Sequence, residues 1–186
     1  MNALSGNALD QLIAPITHAV RTKEARALGG VLAALCASGA ITPECFWSAR
    51  ADRYARKLVW RDTDAGFIVV GMTWAAGQGA PLHDHAGLWG AEIVVDGMMH
   101  ETAFELTGRA RDGRFGFCRG THRLSERGTV GLIEPPREYH DFGNAGKTVA
   151  HSLHVYGGEL TSAQTFREDS DGWWTARRVG LRYDAE

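Results

Sequence analysis

Cysteine is scarce in this 186-residue chain: Cys36, Cys45 and Cys118 are odd in number and form no CxxC. They support neither a disulfide framework nor a zinc knuckle, and they imply a reducing compartment. Proline is scarce too, with five residues, so no collagen-like or Pro-rich segment is present. No charge dominates. Twenty Lys and Arg against 22 Asp and Glu leave a formal charge of -2, which gives no electrostatic reason to expect nucleic acid or an anionic membrane as partner. No helix-turn-helix and no internal repeat is evident. The most apolar early stretch, 27–41, is too short and too rich in Gly and Ala to span a bilayer, and no basic region precedes an apolar one at the N-terminus. Residues of the AVILMFWYC set at 44% and charged residues at 23% rule out a disordered chain. The expectation is a soluble cytoplasmic protein with a small-molecule partner.

What the chain has in excess is glycine, 23 of 186 residues, about 12% against a usual ~7%. That points to many tight turns and short strands. The first fifty residues nevertheless read as helical: Leu9, Leu12, Ile13, Ile16 and Val20 recur at spacings of three and four, as do Ala25, Leu28, Val31, Leu32 and Leu35, with Gly39 as a stop. Thr42-Pro43-Glu44 predicts an N-cap, first-turn proline and first-turn acid of a short helix through Phe46 and Trp47. From Tyr54 onward β-branched and aromatic runs alternate with turn signals. The predicted strands are 57–61, 67–73, 90–95, 98–106, 115–119, 130–134 and 149–156. Such closely spaced strands after a helical start predict a sandwich or barrel capped by N-terminal helices.

His83-Asp84-His85 follows Gly77, Gly79 and Pro81. In an extended segment His83 and His85 project to one face with Cα atoms roughly 6–7 Å apart, close enough to share a metal ion, while Asp84 points away. A lone HxH can equally be a polar strand face that meets water. The surrounding spacing decides between them: Gly77, five residues, His83-x-His85, four residues, Gly90, six residues, Gly97. This resembles the first cupin motif, G-x5-H-x-H-x3,4-E-x6-G, except that Gly90 stands at its glutamate. Pro135, His140 and Asn144 resemble the second motif, P-x-G-x2-H-x3-N, with Arg137 in place of its glycine. The resemblance implies a cupin barrel in which His140 joins His83 and His85. Three neutral imidazoles leave the metal charge to be balanced by an anionic substrate atom, such as a thiolate; ligand type alone is compatible with Fe, Zn, Cu or Ni.

From Tyr54 to Tyr156 the chain resembles the cysteine dioxygenase family of thiol dioxygenases. Tyr54-Ala55-Arg56-Lys57-Leu58-Val59 resembles Y-x-R-N-L-V, Trp74 precedes the metal motif, His83-Asp84-His85 is the HDH, and Ser152-Leu153-His154-Val155-Tyr156 resembles S-L-H-x-Y. The resemblance implies a mainly β cupin (double-stranded β-helix, jelly-roll) barrel over 51–186 with an N-terminal helical segment, 1–50, packed on it. It implies one Fe(II) per chain held by His83, His85 and His140, and no organic cofactor. Both atoms of O2 would go to the sulfur of a small carboxylate-bearing thiol, with Arg56 pairing the carboxylate and Tyr54 and Trp74 lining the pocket. Tyr156 would stand beside iron and substrate, oriented by His154 and Ser152. A monomer is expected.

The residues by themselves allow plainer readings. Ser152, His154 and Tyr156 could face water while Leu153 and Val155 enter the core; Arg56 could be a surface ion-pair partner; Tyr54 and Trp74 are good strand residues in any case. His18, His100, His122 and His151 carry no motif and read as surface or structural. Three departures from the family stand out. Gly90 occupies the place of the mammalian cysteine that is linked to the tyrosine, Gly157-Gly158 replaces a proline turn, and Gly87-Leu88-Trp89-Gly90 looks more like bacterial mercaptocarboxylate dioxygenases. L-Cysteine is the first expected substrate, with 3-mercaptopropionate and mercaptosuccinate next. A cupin isomerase or hydrolase, or a ligand-binding cupin without catalysis, is the remaining alternative.

Overall fold

Strand β2 (Phe67–Trp74) is buried along its whole length, which requires cover on both faces. The structure, a computed structural model, describes residues 6–22 and 25–185 and shows what supplies that cover. Helices α1 (Gly6–Arg21) and α2 (Ala25–Ser38) bury Leu12, Ile13, Ile16, Leu28, Leu32 and Leu35 against Phe67 and Val69 of β2 and their same-face neighbours on adjacent strands. The alternate residues Ile68, Val70, Met72 and Trp74 face the other way, into the barrel.

That five-stranded sheet runs β1 (Ala55–Asp62), β2, β9 (Ala150–Tyr156), β4 (Gly90–Asp96), β7 (Val130–Ile133). A second, closed set runs β10 (Ser162–Glu168), β11 (Trp174–Gly180), β6 (Phe115–Glu126), β5 (Met98–Arg109), β8 (Tyr139–Asn144), β3 (Gly79–His83). The named pairings are antiparallel. The fold is the mainly β cupin jelly roll with N-terminal helices that the sequence led us to expect.

Helix α2 stops where predicted. Gly39 takes a positive φ of 77°, and the N–H groups of Gly39 and Ala40 bond back to the carbonyls of Cys36 and Leu35, a left-handed cap suited to glycine. The predicted short helix after Thr42 is a correction. Only a 3-10 turn, Pro43–Cys45, forms; Thr42 makes no side-chain cap, and Phe46 is already extended as it and Cys45 bury against the sheet. All seven predicted strands are present, and four were not predicted: β3, β8, β10 and β11. β5 and β6 also run on past their predicted ends because they pair with each other as a long ribbon, most of whose β6 side chains face water.

Candidate metal centre

β3 pairs with β8 so that His83 lies opposite His140, and His85 follows two residues beyond the strand end. One nitrogen from each ring of His83, His85 and His140 lies within 4.8 Å of the others, a separation that one divalent ion bridges. The outward nitrogens show which ones point inward. His83 Nδ1–H donates to Pro81 O at 2.9 Å and His85 Nδ1–H to Glu138 O at 3.0 Å. Carbonyl oxygens only accept, so both Nδ1 atoms carry hydrogen and both Nε2 lone pairs are free. His140 Nδ1–H donates to Glu101 Oε1 at 3.1 Å. The three rings are thus presented as metal ligands with their outer nitrogens already engaged.

Burial and the neighbouring imidazoles push His83 down to about 3 and His85 well below the usual imidazole range, so both are neutral at pH 7. His140 differs. Burial pulls it down too, but Glu92 and the hydrogen-bonded Glu101 outweigh that and hold it above its ordinary value. Glu101 is itself met by Arg123, whose Nε and Nη2 lie 2.7 and 2.5 Å from Oε2. Glu92, Glu101 and His140 also cluster closely, but with Arg123 on Glu101 they form a hydrogen-bonded shell behind His140. Three imidazoles, two of them neutral by environment, fit a divalent metal.

Ser152, His154 and Tyr156 are 0, 2 and 3% exposed; the reading in which they face water is excluded. Trp74 Nε1–H can only donate and does so to Ser152 Oγ at 2.9 Å. The Glu92 carboxylate oxygen Oε2, 3.2 Å from His154 Nδ1, favours the hydrogen on that nitrogen and so directs the Ser152 hydroxyl hydrogen to His154 Nε2 at 2.7 Å. His154 Nδ1–H also faces Tyr156 Oη at 3.1 Å. Burial first, and Glu92 second, raise the Tyr156 phenol above its ordinary range, so it stays protonated. Its ring centroid lies 5.8 Å from that of His85.

Gly90 sits opposite Tyr156 across β4 and β9. A Cβ on Gly90 would come within 3.0 Å of Tyr156 Cδ1 and 3.1 Å of Val155 O, so the tyrosine ring occupies the space a carboxylate arm would need. Gly157 has a similar reason: Trp89 packs its indole where a Cβ would stand, and Gly157 N–H donates to Trp89 O at 2.9 Å. The pair that replaces the proline turn is a seat for the loop after His85.

Arg56, 4% exposed, has Nε, Nη1 and Nη2 all without a hydrogen-bond partner. Tyr54 stacks on Trp74 at 4.3 Å between centroids. Arg56, Tyr54, Trp74, His154 and Tyr156 line one cavity with the three histidines, and Ser152 lies behind it. The cavity measures about 80 Å³; at ~10–15 Å³ per water-sized group, roughly five to eight such groups fit. Asn144 from the second motif is a tie and no ligand: its Nδ2 bonds Trp74 O at 3.0 Å and Thr148 O at 2.7 Å. His100, His122 and His151 lie outside the cavity, and His18 is exposed on α1.

The profile of the family described as cysteine dioxygenase type I matches residues 1–169. The chain belongs to the cysteine dioxygenase type I family. Membership implies dioxygenase chemistry on a metal-binding cupin, and His83, His85 and His140 form a group that could hold a metal ion. Among solved structures the chain is similar to the cupin domain of Schizosaccharomyces pombe Cnp3, with 12% identity over 57% of this chain and 65% of that one, TM-score 0.44. This chain thus spans just under two thirds of that domain. It is also similar to a double-stranded β-helix protein of Klebsiella pneumoniae (16%, 60% and 77%, TM-score 0.47) and to an oxalate oxidase (18%, 68% and 65%, TM-score 0.46).

Four site residues went unrecognised in the sequence. Glu92 carried a usable signal, since at period two it shares the inward face of β4 with Gly90. Glu101 and its partner Arg123 lie on the β5–β6 ribbon and follow no motif. Glu138, two residues before His140, accepts the His85 N–H at 2.8 Å and the Gly87 N–H at 3.1 Å.

Proposed function

We propose that the chain is a non-haem Fe(II) thiol dioxygenase that converts a small carboxylate-bearing thiol, L-cysteine first, into its sulfinate. The observation that carries this reading is the buried, unpartnered Arg56 guanidinium facing the same cavity as three imidazoles. A buried cation without a counter-charge is costly, and a substrate carboxylate supplies the missing partner with a geometry matched to the planar fork. Among the described residues that line the cavity, Arg56 is the only Lys or Arg. One carboxylate is thereby favoured over two, which places mercaptosuccinate behind L-cysteine and 3-mercaptopropionate.

Iron(II), held by His83, His85 and His140, would supply redox chemistry and a site for the thiolate and O2; the balance is thiol plus O2 to sulfinic acid, with no further reductant. The chain's own work is positional. Arg56 holds the carboxylate and so fixes where the sulfur end of a short thiol acid can reach. Met72, Leu160 and Leu181 exclude water from the arm between them. Tyr156 keeps its phenolic proton, and with His154 Nδ1–H directed at Oη the phenol's own hydrogen is free to point at the reacting sulfur.

The test is oxygen uptake and sulfinate formation by the Fe(II)-loaded protein with L-cysteine, 3-mercaptopropionate and mercaptosuccinate. Uptake with one of the first two supports the reading. No uptake with any small thiol would remove it and favour a different cupin chemistry.

A further inference from the structure

Residues 170–185 lie outside the family match, which ends at 169, yet they complete the carboxylate end of the cavity. Val179 and Leu181 line it, and Leu181 N–H is tied to Thr161 O at 2.7 Å. Beyond Leu181 the chain meets Arg56 directly. Asp184 clamps the Arg56 backbone from both sides: Arg56 N–H donates to Asp184 Oδ2 at 2.8 Å, and Asp184 N–H donates to Arg56 O at 2.8 Å. Asp184 is anchored in turn by Arg53 Nη2 on Oδ1 at 2.5 Å and by Trp47 Nε1–H on its carbonyl at 3.0 Å.

Between those anchors Tyr183 lays its ring beside the guanidinium, with Arg56 Cζ 5.2 Å from the ring centroid. Its hydroxyl donates to Glu159 Oε1 at 2.6 Å, and Arg61 Nε donates to Glu159 Oε2 at 2.7 Å. Glu159 is thus occupied by Arg61 and Tyr183 while the Arg56 guanidinium stays open to the cavity. An arginine side chain has many rotamers to lose. A ring against one face limits them and leaves the nitrogen-bearing edge for an incoming anion.

We propose that Tyr183 is a positioning residue for substrate capture: through its ring face it holds the Arg56 fork in place for the thiol's carboxylate, with Asp184 anchoring the segment that carries it. This rests on the dioxygenase reading above. The role is confined to ground-state capture of the carboxylate end; the three histidines lie elsewhere, on β3, just beyond its end, and on β8.

The experiment is steady-state kinetics of the Fe(II)-loaded full chain with whichever of L-cysteine and 3-mercaptopropionate the wild type uses better, for Tyr183→Leu, Tyr183→Phe and Asp184→Asn, with iron content measured for each. Loss of a partly desolvated cation–π contact predicts a KM rise of about 3- to 30-fold for Tyr183→Leu, with kcat and iron content within twofold of wild type. Tyr183→Phe, which keeps the ring, returns KM to within about twofold, and Asp184→Asn raises KM in the same direction. An unchanged KM in Tyr183→Leu, or a loss of kcat and iron content together without rescue by Phe, overturns the proposal while leaving the dioxygenase reading intact. A wild type that oxidises neither thiol overturns the dioxygenase reading, and this proposal with it.

Discussion

Glu92 Oε2 lies 3.2 Å from His154 Nδ1, on the strand face that Gly90 shares. The carboxylate that a cupin usually offers its metal from the position of Gly90 is present here two residues further on. From there it addresses His154 and the back of His140, 3.9 Å from Nδ1. Negative charge is therefore kept near the three imidazoles without becoming a fourth ligand. Glu92 leads the influences that hold His140 up against burial, so Glu92→Gln should lower the His140 pKa. Imidazole NMR titration of the metal-free protein reads this directly.

Glu101 makes the direct bond to His140. Outer partners of metal-binding histidines typically contribute 10- to 100-fold to affinity, so Glu101→Gln should weaken divalent metal binding by about that factor and Glu101→Ala by at least as much. Competition against a chelator of known affinity checks it.

The metal-free protein should lose stability in acid. His83 and His85 have folded pKa values depressed below the ordinary 6.5. They are neutral when folded and gain a proton on unfolding, so the stability they contribute is full above about 6.5 and falls as pH drops from there toward 3. His140 works the other way: its raised pKa stabilises the protonated folded form, and that contribution is lost as pH rises through its folded value. Two depressed histidines against one raised one predict a lower Tm at pH 5 than at pH 8, measurable by calorimetry of apo protein.

Ser152 passes the orientation set by Trp74 to His154. Ser152→Ala leaves the Trp74 N–H and His154 Nε2 without their buried partner, a loss of about 1–3 kcal/mol. If that loss falls on the transition state, kcat drops by roughly 5- to 150-fold. KM and iron content should hold, because Arg56 and the metal ligands are untouched. A stopped-flow or electrode assay with iron analysis separates these terms.

Gly157→Ala should destabilise the fold by about 1–3 kcal/mol, the usual range for a forced overpacking, because its methyl would enter the space of the Trp89 indole. Trp89→Ala in the same chain should recover most of the loss. Denaturant unfolding of the single and double variants gives the coupling.

Much of this could be read from sequence where the pattern is local. The helices announce themselves through their three-and-four spacing, and the two-sided strands β2 and β4 as apolar runs because both of their faces are covered. β3, β8, β10 and β11 do not: β3 is a short GAPLH with a proline, and β8 and β10 alternate few apolar residues with polar ones. β11 buries Trp174 and is otherwise largely exposed. The metal histidines and the Ser152-His154-Tyr156 line stood out through their spacing. Glu101, Tyr183 and Asp184 did not, since each meets its partner only through long-range register, as when residue 184 closes on residue 56. Gly90 was visible as a missing carboxylate; that Tyr156 takes the vacated volume needed the cross-strand pairing.

The most direct test supplies 18O2 to the Fe(II)-loaded protein with L-cysteine or 3-mercaptopropionate and weighs the product. The account predicts one O2 consumed per thiol and a sulfinate carrying two labelled oxygens, with Arg56→Ala losing most of this turnover and none of its iron. No uptake with either thiol, or a product whose oxygen comes from water, would contradict it.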